Sequence, residues 1–270
     1  MTDDRAGFAD RRNADMTLFM LLLTNDDGIR APGIVAMYKV LAQANAVEVI
    51  APETVQSATG HGVTLSGPLM THRVNVEGVF TGTSVEGRPA DCVKLALSQL
   101  VTERPTYVVS GINSGANVGI NVIYSGTVAA AIEAGFLGVQ AFAVSLLLDR
   151  DVEPDYDQAA RVAMEVIGQI RGVIGDSPRV VSVNIPALRA GEKPAGVRVV
   201  RQSVAPWEDR YEKRVDPRGK AYFWNTSVFK LADTESDTDV AALRDKFVTV
   251  TPLQFDLTDH RLMAELDGRL

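Results

Sequence analysis

The sequence predicts an α/β fold, a doubly wound and mostly parallel sheet with a C-terminal antiparallel arm. Through the first two-thirds of the chain, short apolar runs typical of buried strands alternate with helical patterns. Short connections rich in glycine, proline and small polar residues separate them, as in repeated βα units. The alternation stops after Pro186, where charged, strand-like runs follow one another without a clear helix between them.

The first predicted elements are recognised by apolar runs and by proline. Residues 18–23 are all apolar and are followed at once by Thr24, which predicts a strand buried on both faces. Pro32 and Pro89 stand where helices can begin, because the first helical position needs no backbone N–H. The predictions for this half are a strand over 18–23, a helix over 32–44, a strand over 47–50, a helix over 89–101 and a strand over 106–109.

An alanine-rich helix opens the second half of the alternation. It is predicted over 127–136, and Gly138 ends it before an apolar strand over 139–144. The remaining predictions are a long amphipathic helix over 156–174, a strand over 179–183, an antiparallel arm over 197–230, a helix over 238–244, a strand over 247–250 and a last helix over 258–266.

These elements divide the chain into three parts. Residues 1–17 show no periodicity and predict a flexible N-terminal extension, and translation starting at Met1 or at Met16 is left open. Residues 18–190 predict the α/β core. Residues 191–270 predict the C-terminal arm, with an oligomerisation hairpin and a terminal helix.

Composition narrows the class of protein. The 270 residues are 46% hydrophobic and 23% charged, which is ordinary for a globular protein. A net charge of −7 argues against binding of long nucleic acid, which needs a basic surface. No apolar run approaches the roughly 20 residues of a membrane span, so we expect no membrane association. The one cysteine, Cys92, predicts a reducing cytoplasmic location and a buried core thiol rather than a nucleophile.

Two adjacent carboxylates follow the first predicted strand. Asp26 and Asp27 precede Gly28, where the chain can turn so that both side chains converge. Neighbouring like charges at the end of a buried strand are costly unless a cation binds them, and carboxylates suit hard divalent metals. A solvated loop that caps the next helix is an equally open interpretation.

A second polar segment follows the strand over 106–109. Residues 110–119 combine three glycines with Asn113 and Asn117, a pattern that allows a backbone to approach a ligand closely. Ser125, Gly126 and Thr127 then open the alanine-rich helix, whose N-terminus can bind an anion. The alternative is that Ser125 only caps the helix, and the loop before it favours phosphate binding.

Two further features support more than one interpretation. The polar loop over 56–64 contains His61, which is either a proton shuttle or an incidental loop histidine. In the arm, Trp207 and Tyr211 lie within a basic cluster that suits phosphate binding and base stacking, a solvated strand face or a subunit interface. The cluster consists of Arg198, Arg201, Arg210, Lys213, Arg214, Arg218 and Lys220.

Taken in order, these motifs resemble the SurE (survival protein E) family of 5'/3'-nucleotidases. The matching segments are LLLTNDDG at 21–28, APG at 31–33, AP at 51–52 with QS at 56–57, PADCV at 89–93, VSGIN at 109–113 with Gly115 and Asn117, YSGTVAAA at 124–131, Asp216-Pro217 with Gly219, Tyr222 and Trp224, DTD at 237–239 and VTPL at 250–253. The sequence departs from the family pattern at Ala58, where glycine is usual, and at Arg88, where threonine is common.

The resemblance implies a Rossmann-like metallophosphatase core and an arm that exchanges between subunits of a homodimer or homotetramer. It implies one divalent cation per subunit, Mg²⁺ or Mn²⁺, on Asp26, Asp27, Ser57 and Asn113. It implies phosphate contacts from Asn117, Ser125, Gly126 and Thr127, and a catalytic role for Asp26, Asp27 and Asn117. The expected substrates are nucleoside 5'- and 3'-monophosphates and short polyphosphate.

Two rival functions fit parts of the same sequence. An aspartyl-phosphate phosphatase uses Asp-x-Asp directly after a strand, whereas here Asp237 and Asp239 lie in a polar stretch. A non-catalytic nucleotide-binding regulator would need the phosphate loop without the paired carboxylates. Whether an aspartate or water attacks phosphorus is open at this point.

Overall fold

The computed structural model describes residues 19–205, 210–226 and 235–269, so the predicted extension over 1–17 lies outside it. The strands of the described residues are β1 (Phe19–Thr24), β2 (Asn45–Pro52), β3 (Thr71–Val76), β4 (Phe80–Val85), β5 (Tyr107–Ser114), β6 (Gln140–Leu146), β7 (Val180–Ile185), β8 (Val197–Val199), β9 (Tyr211–Val215), β10 (Ala221–Asn225) and β11 (Val248–Leu253). The helices are α1 (Pro32–Leu41), α2 (Pro89–Leu95), α3 (Asn121–Tyr124), α4 (Gly126–Phe136), α5 (Tyr156–Ile174), α6 (Asp239–Arg244) and α7 (His260–Leu266). A π-helical turn, Ala96–Leu100, continues α2.

The main sheet confirms the predicted fold class. Its described strands follow the order β3-β4-β2-β1-β5-β6-β7-β11-β8. The run from β4 to β7 is parallel throughout, and antiparallel pairs occur only where β3 joins β4 and β11 joins β7. The protein therefore has a mostly parallel, Rossmann-like α/β sheet with antiparallel additions at its sides.

The apolar run of β1 is explained by burial on both faces. Leu21, Leu22 and Leu23 are each fully buried. Because side chains alternate along a strand, Leu21 and Leu23 enter the core beneath α1 and α5, and Leu22 enters the core beneath α2 and α4. A continuous apolar run is therefore required here, whereas a half-exposed strand would need only every second residue.

The chain order places a ligand-binding position beside β1. From β1 the chain passes to β2 on one side, and β5 later pairs with the opposite side of β1. In open α/β sheets, ligands bind outside the carboxyl ends of strands at the point where the winding direction changes. The segments after β1 and at the end of β5 therefore meet at the expected position.

The β3–β4 hairpin was not predicted from the sequence. β3 forms the edge of the main sheet, and four of its six residues are exposed. Its sequence, THRVNV, places His72, Arg73 and Asn75 on this edge strand, so it lacks the apolar run by which the central strands were recognised.

The segment after Pro186 contributes to two sheets. The predicted helix over 238–244 and strand over 247–250 correspond to α6 and β11, and β11 lies between β7 and β8 in the main sheet. β9 and β10 form a separate antiparallel hairpin in which every strand residue is exposed. The predicted arm over 197–230 thus begins with β8, which pairs in parallel with β11, before the chain leaves the main sheet. The division into domains stays a prediction.

Cys92 lies in the core, as predicted. It is fully buried on α2 among apolar side chains, and this burial raises the pKa of its thiol. Among the helices of the described residues, none has the length and apolar character that a membrane crossing requires.

Candidate metal and phosphate site

A tight turn at the end of β1 brings the two aspartates into position. The Asn25 side chain donates a hydrogen bond to the Gly28 carbonyl at 2.8 Å, which closes the turn around Asp26 and Asp27. Gly28 has φ +94°, in the region that glycine adopts most easily, and its α-carbon faces the backbone at residues 52–54. The turn that carries the two carboxylates is therefore formed by their neighbours Asn25 and Gly28.

Each aspartate is held by a different part of the site. The Asp26 carboxylate accepts a short hydrogen bond from the Thr127 hydroxyl on α4, and its carbonyl accepts the Gln56 N–H at 2.8 Å. The Asp27 carboxylate accepts the Ser114 N–H at 2.8 Å from the end of β5. These contacts draw α4, the loop after β2 and the end of β5 around one pair of carboxylates.

The Asp26 carboxyl lies in an environment that disfavours its charge. Burial raises its pKa to about 6, and the nearby charge of Asp27 adds to the rise, although the hydrogen bond from Thr127 opposes it. Near neutral pH the buried carboxylate is mostly ionised despite this cost. A cation bound between Asp26 and Asp27 would offset both the desolvation and the repulsion.

We expect the metal-free protein to lose stability as pH rises through the pKa of Asp26. An unfolded aspartate releases its proton near 3.8 and the folded one near 6, so the folded state binds more protons in this window. The contribution of Asp26 to the free energy of unfolding is fully present below about pH 4 and is lost above about pH 6. The total change is up to about 3 kcal/mol. Asp26→Asn should remove this part of the pH dependence.

Urea unfolding in EDTA across this window measures the effect. Glu153→Gln, which changes an exposed carboxyl, is the matched control and should follow the wild type. An Asp26→Asn protein whose unfolding free energy keeps the wild-type pH dependence would contradict the assignment.

Ser57 and Asn113 lie beside the aspartates. Gln56, which bonds to Asp26, places the exposed Ser57 next to the turn. Asn113 precedes Ser114, the partner of Asp27, and its amide group donates to the Gly115 carbonyl at 2.6 Å. Because that NH₂ group is engaged, the side-chain oxygen is the atom of Asn113 that suits a cation.

The residue after Ser57 has an unusual backbone conformation. Ala58 has φ +57°, in the left-handed region that non-glycine residues rarely occupy. Glycine would adopt this conformation more easily than alanine, because it has no Cβ.

The N-terminus of α4 packs directly on Asp26. Ser125 is its N-cap, and the Ser125 hydroxyl accepts the Val128 N–H at 3.1 Å, so the capping role is present. A methyl group placed on Gly126 would lie only 2.9 Å from the Asp26 Cβ and 3.0 Å from Oδ2. The eleven-residue helix therefore directs its positive end toward the carboxylate pair.

Asn117 lies above a row of polar residues on neighbouring strands. Asn113, Ser145 and Asn184 occupy matching positions on β5, β6 and β7. The Asn117 side chain donates to the Ser145 hydroxyl at 2.9 Å, and its backbone N–H donates to the Asn184 side chain at 2.8 Å. The register thus places Asn117 close to Asn113 at the carboxyl edge of the sheet.

The other sequence candidates have partners away from the carboxylate pair. His61 bonds through Nε2 to Glu133 Oε2 at 2.8 Å and stacks on Phe136 toward the far end of α4. These two contacts of His61 attach the polar loop over 56–64 to α4. Within the basic cluster, Arg201 pairs with Asp237 and Glu235, Arg214 pairs with Glu212, and Arg198 lies over the Phe247 ring.

The residues at the turn fit a divalent cation. Two carboxylates, a hydroxyl and an amide oxygen are the hard donors that Mg²⁺ and Mn²⁺ take. Three buried side-chain oxygens without a hydrogen-bond partner also occur near the end of β1, on Thr24, on Asn25 and on Ser110, which pairs with Thr24 from the middle of β5. Across the described ranges, no group of three or more His, Cys, Asp or Glu side chains is arranged to hold a metal.

Buried residues that support this site were not predicted from the sequence. Asn184 is the polar residue that directly follows the predicted strand over 179–183, and a polar residue in that position is the same signal that favours Asp26 and Asp27. Asp91 accepts hydrogen bonds from the Thr64 N–H and hydroxyl at 2.8 and 2.7 Å, and so holds the loop that carries Ser57 against α2. No local pattern indicated that contact.

Comparisons with known proteins agree with the architecture. A family model described as "Survival protein SurE" matches residues 21–209. The chain is 44% identical to "5'-nucleotidase SurE" of Natranaerobius thermophilus over 261 residues, with 92% of this chain and 97% of the relative covered. It is 46% identical to the protein of the same name from Nitratidesulfovibrio vulgaris strain DP4, with 91% and 97% covered. The crystal structure of the Sure protein from Aquifex aeolicus superposes with a TM-score of 0.78 at 33% identity, over 92% of this chain and 98% of that one.

Proposed function

The chain belongs to the SurE family, and on that premise we propose that it is a 5'-nucleotidase, a phosphoric monoester hydrolase that releases phosphate from nucleoside 5'-monophosphates. Relatives that align along nearly all of the chain carry that name. The observation that carries the proposal is the packing of the α4 N-terminus on Asp26, which supports an anion site at this helix end next to the proposed cation site of Asp26 and Asp27.

A divalent cation, Mg²⁺ or Mn²⁺, is proposed as the cofactor, one per subunit. Asp26, Asp27, Ser57 and Asn113 would hold it. When bound, such an ion polarises a phosphoryl oxygen and lowers the pKa of a coordinated water. The raised pKa of Asp26 supports a cation at this position, because burial alone makes the ionised carboxylate unfavourable.

The residues around the cation site would bind and orient the phosphate. Ser125 caps α4, and Gly126 and Thr127 begin its first turn, where a helix N-terminus favours negative charge. Asn117 would contribute an uncharged side-chain contact to the phosphoryl oxygens. Donors fixed in advance stabilise the charge of the transferred group better than mobile ones, because they need no reorganisation during reaction.

We propose that 3'-monophosphates and short polyphosphate are further substrates. Measuring phosphate release from nucleoside 5'-monophosphates, nucleoside 3'-monophosphates, tripolyphosphate and p-nitrophenyl phosphate tests the proposal and its breadth. We expect turnover of the nucleotides in a divalent cation. Binding of nucleoside monophosphate without any phosphate release would instead support the non-catalytic regulator.

The C-terminal arm is proposed to join identical subunits into a homodimer or homotetramer. The β9–β10 hairpin exposes Tyr211, Phe223 and Trp224 by 63, 62 and 56%, and an isolated two-stranded hairpin is marginally stable in water. Exchange of the hairpin between subunits would bury these rings. Trp207, which the sequence analysis groups with them, lies outside the described residues.

Sedimentation at micromolar concentration is expected to give a dimer or a tetramer. Deletion of residues 211–225, with a short glycine-serine connection in their place, should shift the protein toward smaller species. A monomeric full-length chain with full activity would rule out the exchanged arm.

A further inference from the structure

We propose that Asn184 and Asp239 are positioning residues for the phosphate site: together they hold the segment 117–119, and thereby the side chain of Asn117, in a fixed place. The proposal rests on the proposed function, because it concerns how the predicted phosphate contact of Asn117 is maintained. Neither residue is among the predicted ligands. Asp239 belongs to the DTD segment, to which no role has so far been assigned.

Asn184 holds the main chain of Asn117 from both sides. Its side-chain oxygen accepts the Asn117 N–H at 2.8 Å, and its NH₂ group donates to the Asn117 carbonyl at 3.2 Å. Asn184 is 1% exposed at the carboxyl end of β7. This double contact fixes the peptide groups on both sides of the Asn117 α-carbon, so the direction of its side chain is restricted.

Asp239 holds the other end of the segment. Its Oδ2 accepts the Gly119 N–H at 2.8 Å, and its Oδ1 accepts the N–H groups of Ser203 and Val240 at 2.9 and 2.8 Å. The residue is 1% exposed. The Gly119 carbonyl in turn accepts the Gln202 side chain at 2.8 Å, so Gly119 is held at both of its polar backbone atoms.

These contacts leave the segment little freedom. Between the two held residues, Val118 is buried in a small apolar cluster with Val240 and Leu243. The Asn117 side chain itself bonds to Ser145, which is fully buried on β6. Polar and apolar contacts from β6, β7, α6 and the segment after β8 therefore all converge on three residues of one loop.

The environment of Asp239 also excludes a role for Asp237 and Asp239 as the nucleophile and acid of an Asp-x-Asp motif. Three backbone N–H groups bond to its carboxylate, and their hydrogen bonds direct it toward the chain at residues 119, 203 and 240. Asp237, two residues earlier, instead forms an exposed ion pair with Arg201. The two aspartates thus do not share a site, as an Asp-x-Asp nucleophile and acid would require.

The test compares Asp239→Asn with the matched variant Asp237→Asn. An asparagine at 239 must turn its NH₂ group toward at least one of the three backbone N–H groups, which breaks part of the set of hydrogen bonds that holds the segment. We expect the dissociation constant of inorganic phosphate, measured by calorimetry, to rise by about tenfold or more, with a similar loss of kcat/KM. Asp237→Asn should stay within about twofold of the wild type, because its partner lies at the surface.

A stability control separates positioning from simple destabilisation. Ile167→Ala removes buried side-chain volume from α5, on the opposite side of the sheet from α4, and should lower the unfolding temperature. Assayed below its unfolding temperature, it should bind phosphate like the wild type. If Asp239→Asn does not fold, Asn184→Ala makes the same test, since it removes both contacts to Asn117.

The outcomes test the positioning role of Asn184 and Asp239 separately from the proposed phosphomonoesterase activity. Folded Asp239→Asn or Asn184→Ala with wild-type phosphate affinity overturns it, and so does an Ile167→Ala variant with the same loss of affinity. Loss of affinity in the positioning variants alone supports it. A wild type that binds phosphate and hydrolyses no phosphomonoester contradicts the proposed function, while the calorimetric comparison still decides the role of Asn184 and Asp239.

Discussion

Asp26→Asn and Asp27→Asn are each expected to lower phosphomonoesterase activity by about two to three orders of magnitude while the protein stays folded. Each change removes one of the two negative charges that would hold the cation. In the Asp26→Asn variant the new side-chain amide oxygen can still accept a hydrogen bond from the Thr127 hydroxyl. In the Asp27→Asn variant it can still accept one from the Ser114 N–H. Because like-charge repulsion is relieved, the metal-free fold should be at least as stable as the wild type above about pH 6.

Steady-state kinetics with controlled metal concentrations measure this effect. Asp157→Asn is the matched control, since Asp157 is an exposed aspartate on α5 whose nearest cation, Lys39, lies 3.8 Å away. It should retain wild-type activity. Near wild-type turnover in a protein that carries both Asp26→Asn and Asp27→Asn would remove the carboxylate pair from the mechanism.

Gly126→Ala is expected to reduce activity by about tenfold to a hundredfold through displacement of Asp26. The new methyl group would meet the Asp26 Cβ at 2.9 Å and the Pro89 side chain at 3.1 Å, closer than side-chain carbons normally approach. Asp26 is short and attached at a tight turn, so the backbone itself must shift. The carboxylate would then leave the position in which Thr127 and the cation meet it.

Gly168→Ala provides the control for the Gly126 change. Gly168 is exposed within α5, and a methyl group there meets no atom within 4 Å. The change should stabilise the helix by about 0.5–1 kcal/mol and leave activity unchanged. A Gly126→Ala protein with wild-type kcat and metal affinity would show that the packing of α4 on Asp26 is not needed.

Features that are determined by residues close together in the sequence could be predicted from short sequence patterns. The apolar run before Thr24 predicted β1, because a strand covered on both faces must be apolar throughout. Asp26 and Asp27 are candidates for a site because they follow that strand directly, and parallel strands gather their carboxyl ends at one edge, but their role as metal ligands stays a prediction. The cap at Ser125 followed from its position before an alanine-rich helix.

Features set by distant contacts could not be predicted in the same way. Asn113 was placed in a loop, whereas β5 continues through Ser114 after a shift in register next to β6. That extension aligns Asn113 with Ser145 and Asn184, which are distant in sequence and adjacent only in the sheet. The contact between Asp239 and Gly119 spans 120 residues, so no periodicity or local motif could indicate it.

The most direct test of the account is phosphate release from a nucleoside 5'-monophosphate by protein depleted of metal with EDTA and then given Mg²⁺ or Mn²⁺. We predict that depletion abolishes turnover and that adding either ion to the wild type restores it, while the Asp26→Asn protein stays inactive. Full turnover by the depleted wild-type protein would contradict the claim that a divalent cation at Asp26 and Asp27 supports the reaction.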